Sequence, residues 1–90
     1  MYTIEYDEQV IADIKALDGS VKNLIQKAVD EKLLENPTQF GKPLQHDLLG
    51  ARSFRVGDYR VIFDLYKTVI YVWLISHRKD VYKLAEKRIA

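Results

Sequence analysis

A run of seven apolar residues at positions 69–75, Val-Ile-Tyr-Val-Trp-Leu-Ile, constrains the fold of this chain more than any other segment. Successive side chains of a strand point to opposite faces, so a strand that is apolar at every position is covered on both faces. We therefore predict a central strand with other elements packed above and below it. In 90 residues without cysteine only one modest core is available, which predicts a single domain spanning residues 1–90.

Two strand-like segments precede this run and are separated by short turns. Residues 53–57 and 59–65 flank a turn at Gly57 and Asp58, and a second turn near residues 66–68 leads into the apolar run. Such spacing predicts an antiparallel meander of three strands. The alternation of apolar and polar side chains at the start of the chain predicts one more strand at residues 2–6.

Apolar residues at three- and four-residue spacing predict three helices. Asp7 is the predicted cap of the first, and a turn and cap at Gly19 and Ser20 precede the second. The second helix should end near Asn36, because Pro37 disfavours helical geometry in the residue before it. The third helix is predicted to begin at about residue 79 and to close the chain.

The segment at residues 37–50 contains two prolines and two glycines and is predicted to be a loop. Four apolar side chains are expected to pack it on the core: Phe40, Leu44, Leu48 and Leu49. A short strand around Leu44 is the alternative. Together these elements predict an α+β fold, in which a two-helix hairpin packs on a small antiparallel sheet and a C-terminal helix follows.

The two halves of the chain carry opposite net charge. Residues 1–40 contain four lysines and eight acids, a net charge of −4, whereas residues 41–90 contain ten basic residues and five acids, a net charge of +5. All five arginines lie in the second half. Arginine makes planar, two-pronged contacts with phosphate, so a polyanion is expected to bind the C-terminal half. A solvated surface of uneven charge is the alternative interpretation.

Strand alternation places two of these arginines on one surface. Arg55 lies on the opposite face of its strand from Phe54, and Arg60 lies opposite the aromatic face of the next strand. Burying a lone guanidinium is costly, so the aromatic faces should pack on the helices while the arginine faces stay open. Arg55 and Arg60 are therefore expected to share one exposed surface.

Other residues with useful chemistry are few. The chain has no cysteine, His46 and His77 lie far apart, and no carboxylates have metal-site spacing, so neither a metal nor a cofactor is predicted. His77 and Arg78 follow the central strand and Tyr82 begins the last helix, so all three are expected beside the arginine surface. Such a set can bind a phosphodiester and move a proton, which suffices for metal-free RNA cleavage by the neighbouring 2′-hydroxyl.

Three segments resemble the RelE family of toxins from toxin–antitoxin systems: residues 41–44 (GKPL), 55–63 (RVGDYRVIF) and 76–82 (SHRKDVY). The predicted helix hairpin and terminal helix also fall where that fold has them. The resemblance implies a ribosome-dependent endoribonuclease that enters the decoding site, cuts messenger RNA and is silenced by a cognate antitoxin. It also implies a cytoplasmic protein, and the chain has neither a long uncharged apolar run nor the basic start of a signal peptide.

The resemblance further implies roles for individual side chains. Arg60 matches an arginine that steadies the scissile phosphate, and Arg78 matches one that stabilises the phosphate or protonates the leaving oxygen. Tyr82 matches a tyrosine that orients or stacks on the substrate nucleotide, and Arg55 stands where some members have lysine. Histidine exchanges a proton most readily at neutral pH, so His77 is predicted to transfer the proton.

Additional cationic residues are predicted to contact RNA. They are Arg52, Lys79 and Lys83. The last two belong to a basic face of the last helix, which also includes Lys87 and Arg88. The chain departs from the family at Ser53, which stands where some members have a basic residue. A neutral hydroxyl cannot replace lysine as a base.

Alternatives remain open for the activity and for single residues. The similar ParE branch poisons DNA gyrase, so a gyrase inhibitor is the second reading, and a degenerate homologue that only binds antitoxin is the third. Arg60 could pair with Asp58 or Asp64 on the sheet surface, and the ring of Tyr82 could pack on the sheet edge. His77 could be a surface or capping residue without a catalytic role.

Overall fold

The apolar run of residues 69–75 lies in a strand that other elements surround, as predicted. The computed structural model describes residues 1–44 and 50–89. In these ranges the elements follow in the order β1 (Thr3–Tyr6), α1 (Glu8–Lys15), α2 (Gly19–Ala28) with a π-helical extension (Val29–Leu33), α3 (Pro37–Phe40), β2 (Gly41–Pro43), β3 (Arg52–Val56), β4 (Tyr59–Tyr66), β5 (Val69–His77) and α4 (Val81–Ile89). No helix in these ranges has the length and apolar character needed to cross a membrane.

The first two helices begin at acidic caps. Asp7 caps α1 as predicted, and its carboxylate accepts a hydrogen bond of 3.4 Å from the backbone N–H of Gln9. The cap of α2 is Asp18, whose backbone is extended, and the prediction of Ser20 for this position is wrong. Ser20 lies inside the first turn and donates its hydroxyl to Asp18 at 3.0 Å. The two helices thus form the predicted hairpin, with its turn shifted by two residues.

The predicted loop after the hairpin contains regular structure. Asn36 caps the single turn of α3 by accepting a 3.2 Å hydrogen bond from the backbone of Gln39, and Pro37 fits the first turn because no N–H is needed there. Strand β2 follows directly, and Leu44 continues it with a backbone hydrogen bond to Ala51. The alternative of a short strand near Leu44 is therefore the correct one. The predicted core contacts of Leu48 and Leu49, and the position of His46, lie outside the described residues.

One five-stranded sheet with the order β1-β5-β4-β3-β2 forms the centre of the domain. Strands β3, β4 and β5 are the predicted antiparallel meander. Strand β1, however, pairs with β5 in parallel, so the sheet is mixed rather than wholly antiparallel. The difference arises because period-two patterning predicts strands and short hairpins, but not the direction in which strands distant in sequence pair.

The two faces of the sheet carry separate apolar clusters. The helix hairpin packs its buried residues Val10, Ile25 and Leu33 on one face, which we call the hairpin face. On the other face, the α4 face, Val81 and Ala85 of α4 cover a second buried cluster, which consists of the strand residues Ile62, Trp73 and Leu74 and of Ala51 just before β3. The prediction that the arginine side of the sheet stays open therefore holds only where α4 begins and does not cover it, since Ile62 is fully buried beneath the helix.

A bulge at Trp73 changes which side chains of β5 face which layer. Ile62 is opposite Leu74 and Phe63 is opposite Val72, so Trp73 is an extra residue in β5. Trp73 and Leu74 consequently both join the α4 face, and Ile75 returns to the hairpin face. Beyond the bulge the alternation is reversed relative to a regular strand.

Close packing at Gly41 leads to a prediction about stability. A Cβ at this position would meet the buried ring of Phe63 and lie 2.7 Å from the backbone oxygen of Pro37. Gly41→Ala should therefore lower the free energy of unfolding by at least about 1–3 kcal/mol through overpacking. Urea unfolding measures this, with Gly19→Ala as the control, because a Cβ there would have no atom within 4 Å apart from its chain neighbours and the backbone of its own helix. Equal stability of the two variants would contradict the packing described.

Candidate nucleic-acid interface

The β3–β4 hairpin brings two arginines directly opposite each other. Its two-residue turn begins with Gly57, whose φ of +58° is a backbone conformation that glycine adopts without strain. Arg55 is then the cross-strand partner of Arg60. Side chains so paired have Cβ atoms about 4.5–5.5 Å apart, and like charges in this arrangement repel. A bound anion would relieve this repulsion.

Arg60 is held in place by the hairpin itself. Its Nη1 donates to the backbone oxygens of Gly57 at 3.1 Å and of Tyr59 at 2.9 Å. Burial lowers the pKa of the Arg60 guanidinium most, and the nearby charges of Arg55 and Arg78 lower it further. Arginine still remains charged near neutral pH, so Arg60 is a fixed cation with other cations beside it.

Arg78 joins this surface through the turn after β5. Its backbone N–H donates to the oxygen of Asp58 at 2.8 Å, and its Nε lies 3.6 Å from the Asp58 carboxylate. Asp58, one of the acids considered as a partner for Arg60, thus forms its ion pair with Arg78. Both side chains are more than half exposed, and exposed pairs contribute only about 0–1 kcal/mol, so Arg78 can exchange Asp58 for a phosphate.

Tyr82 completes a cluster that we call the arginine site: Arg55, Arg60, Arg78 and Tyr82. It lies in the first turn of α4 with 36% of its surface exposed, close enough to Arg60 to influence the pKa of the guanidinium. The structure thus places four of the predicted catalytic residues together at the end of the sheet where α4 begins.

His77 does not face the arginine site. It is the strand partner of Tyr59, and the two rings meet edge to face with their centroids 5.4 Å apart. Tyr59 packs on the hairpin face, whereas Ser76 is opposite Arg60. The Nδ1 atom of His77 accepts a 3.2 Å hydrogen bond from the backbone of Lys79. The bulge at Trp73 accounts for this placement.

The residues predicted to contact RNA also lie in two different places. Arg52 lies on the strand face that carries Phe54 and donates to the backbone oxygen of Gly41 at 2.8 Å. Lys79 and Lys83 are exposed near the start of α4, beside Arg78 and Tyr82 in sequence.

Arg88 was predicted to belong to the basic face of α4, and its side chain instead points into the domain. It forms a two-pronged ion pair with Asp13 of α1, with distances of 2.6 and 2.7 Å. A guanidinium with a buried partner of this kind is structural. The predicted face therefore consists of lysines alone.

A groove that the sequence did not predict adjoins the arginine site where β2 begins. We call it the edge groove; its volume is about 380 Å³, and its described lining residues are Lys32, Gln39, Phe40, Lys42, Ser53, Phe54, Arg55 and Arg60. No local pattern indicates it, because Lys32 belongs to the helix hairpin and Lys42 to the segment predicted as a loop. Only the packing of α3 beside the sheet brings them together.

Comparisons with known proteins agree with this fold. The family model of the ParE toxin of type II toxin–antitoxin systems, parDE, matches residues 4–82. Toxin RelG of Mycobacterium tuberculosis is 27% identical over 84 residues, which cover 91% of this chain and 97% of RelG. Toxin RelE of the same organism is 36% identical over 62 residues, which cover 69% of this chain and 64% of that toxin.

A solved structure supports the same assignment. One chain in the crystal structure of the toxin–antitoxin complex RelBE2 from Mycobacterium tuberculosis matches with a TM-score of 0.79 and 25% identity, covering 86% of this chain and 98% of that one. The family model spans most of the sequence, and the mixed sheet and helices match across nearly the whole of the solved chain. This chain therefore belongs to the ParE toxin family and is a toxin of a type II toxin–antitoxin system within the RelE/ParE superfamily.

Proposed function

We propose that this toxin is a ribosome-dependent endoribonuclease that cuts messenger RNA in the decoding site and thereby stops translation. The observation that carries the proposal is the cross-strand pairing of Arg55 with Arg60, with Arg78 close enough to depress the pKa of Arg60. Asp58 pairs with Arg78, but Arg55 and Arg60 are direct cross-strand partners and repel each other unless a further anion binds between them. A phosphodiester supplies that charge, and its two non-bridging oxygens match the planar donors of arginine.

The cleavage step needs no metal. The 2′-oxygen attacks the adjacent phosphorus, the bond from phosphorus to the 5′-oxygen breaks, and a proton passes from the attacking hydroxyl to the leaving oxygen by way of the site or solvent. The products are a 2′,3′-cyclic phosphate and a 5′-hydroxyl. Arg60, fixed by its two carbonyl contacts, is suited to stabilising charge on the phosphate oxygens, and Arg78 to stabilising the leaving oxygen. Tyr82 would stack on a base, which is worth about 1–3 kcal/mol.

His77 provides a test of how the proton moves. A placed proton-transfer group contributes about 10²- to 10⁴-fold to a rate. Because the His77 ring packs on Tyr59 rather than facing Arg60, we expect His77→Gln to lower the single-turnover cleavage rate by less than about tenfold. A loss of a hundredfold or more, with the melting temperature unchanged, would instead make His77 the group that transfers the proton.

Inhibition of DNA gyrase is the second candidate function, and the match to the ParE family model favours it. Induction of the toxin in bacterial cells separates the two. The ribonuclease predicts that incorporation of labelled amino acids stops within minutes while a DNA-damage reporter stays silent. A gyrase poison would give the reverse, and a degenerate toxin would change neither signal.

An antitoxin is the expected partner, as the RelBE2 structure is a toxin–antitoxin complex. We propose that an acidic, amphipathic segment of the antitoxin covers the arginine site or displaces α4, because neutralising these charges blocks RNA binding most directly. A ribosomal target also places the toxin in the cytoplasm.

A further inference from the structure

The edge groove combines two features that a nucleotide requires. Phe40 and Phe54 form its apolar floor, and their rings meet edge to face with centroids 6.5 Å apart. Phe54 is only 3% exposed, so the partly buried ring of Phe40 is the aromatic surface open to a ligand. Four cationic side chains surround this floor, and none of the described lining residues is acidic: the cations are Lys32, Lys42, Arg55 and Arg60. An apolar aromatic floor suits a base, and a cationic rim suits its phosphates.

The two lysines carry charge that the fold does not use. Both are exposed, and in the described ranges the ion pairs are those of Arg78 with Asp58 and Arg88 with Asp13. Four like charges around one groove disfavour the folded state unless an anion enters. An anionic ligand of the groove accounts for this arrangement.

The groove is continuous with the arginine site. Going across the sheet, Arg78 follows β5, Arg60 lies on β4, Arg55 lies on β3, and the groove lies beside β3 where β2 begins. Neighbouring strands are about 4.8 Å apart, so this row of cations extends roughly 15 Å, which is longer than a single phosphate group. A single strand of nucleic acid can therefore cross the strands of the sheet, with one nucleotide at the arginine site and the next in the groove.

Gln39 adds a polar group of defined orientation. Its side-chain oxygen accepts a 2.9 Å hydrogen bond from the Asn36 amide, which leaves the amide nitrogen as a donor at the groove. A donor beside an aromatic floor suits the edge of a base.

We propose that the edge groove is a second nucleotide subsite, in which Lys32 and Lys42 contact the phosphates of the nucleotide adjoining the one at the arginine site, and its base lies over Phe40. The proposal rests on the proposed function in that its ligand is single-stranded RNA. It assigns binding residues that lie outside the arginine site.

The test uses binding alone, so that it is independent of cleavage. Fluorescence anisotropy measures the affinity of the toxin for 2′-O-methylated RNA of one, three and six nucleotides, which cannot be cut by 2′-hydroxyl attack, at several salt concentrations. The wild type should bind the trinucleotide at least tenfold more tightly than the mononucleotide. The double variant Lys32→Ala/Lys42→Ala should lose this gain, and its slope of log affinity against log salt should fall by about 1.4, since each phosphate contact on a single strand contributes about 0.7.

The matched control is Lys15→Ala/Lys27→Ala, which removes the same charge from exposed lysines of α1 and α2 that do not line the groove. Equal behaviour of the two double variants, equal wild-type affinity for one and three nucleotides, or no wild-type binding at low salt would each overturn the subsite. If Lys32→Ala/Lys42→Ala weakens antitoxin binding but leaves RNA binding unchanged, the groove is an antitoxin site and the subsite is overturned. If the wild type fails to cut ribosome-bound messenger, yet its tighter binding of the trinucleotide is lost in Lys32→Ala/Lys42→Ala, the proposed function is refuted and the subsite stands.

Discussion

Arg60→Ala is expected to lower the rate of messenger cleavage by about 10²- to 10³-fold, the usual cost of removing one preorganised donor from a site that stabilises developing charge. The hydrogen bonds of Arg60 to Gly57 and Tyr59 fix its guanidinium before substrate binds, so little reorganisation is needed during the reaction. Arg60→Lys should recover little of the rate, because an ammonium group lacks the planar fork. Single-turnover cleavage on programmed ribosomes measures both variants.

The matched control for Arg60 is Lys67→Ala. Lys67 lies in the turn between β4 and β5, at the opposite end of β4, roughly 20 Å away along an extended strand. The Lys67→Ala variant loses the same single charge as Arg60→Ala, and the φ of +55° at this position is no worse for alanine than for lysine. Comparable loss of cleavage in the two variants would attribute the effect to overall charge and not to the arginine site.

Arg88→Ala is expected to have the largest effect on stability, a loss of about 3–5 kcal/mol, because it leaves a carboxylate without its partner in a poorly hydrated position. The side chains of Arg88 and Asp13 are only 18% and 13% exposed. Arg88 also donates to the backbone oxygen of Trp73 at 2.8 Å, and Asp13 accepts from the backbone of Ile75 at 3.1 Å. The pair thus connects α4, α1 and β5 at the bulge.

A double-mutant cycle separates the pair from its surroundings. Thermal and urea unfolding of Arg88→Ala, Asp13→Ala and the double variant should give a combined loss smaller than the sum of the single losses, since removing both charges leaves neither unpaired. Because typical domains are stable by only about 5–15 kcal/mol, Arg88→Ala should lose a large fraction of the stability and melt at a clearly lower temperature. Single losses below about 1 kcal/mol would contradict a structural role for the pair.

Elements that depend on local pattern were predictable from the sequence. The meander follows from alternation and short turns, and the pairing of Arg55 with Arg60 follows from the two-residue turn between their strands. The cap at Asp7 is equally local. These features involve residues close in sequence, whose geometry the backbone alone determines.

Features that depend on long-range packing were not predictable. His77 was expected beside the arginine surface because it follows the central strand, but the bulge at Trp73 reverses the alternation of β5 and turns His77 to the other face. The inward orientation of Arg88 depends on Asp13, which is 75 residues away. The edge groove arises only when α3 packs beside the sheet. In each case the deciding contact lies far from the residue in sequence.

The most direct test of a ribonuclease centred on Arg60 is primer extension on messenger bound to purified ribosomes, with the wild-type protein and Arg60→Ala side by side. We predict new ends within the decoding-site codon for the wild type, none on the same messenger free in solution, and none for the variant. Intact ribosome-bound messenger after incubation with folded wild-type protein would contradict the account.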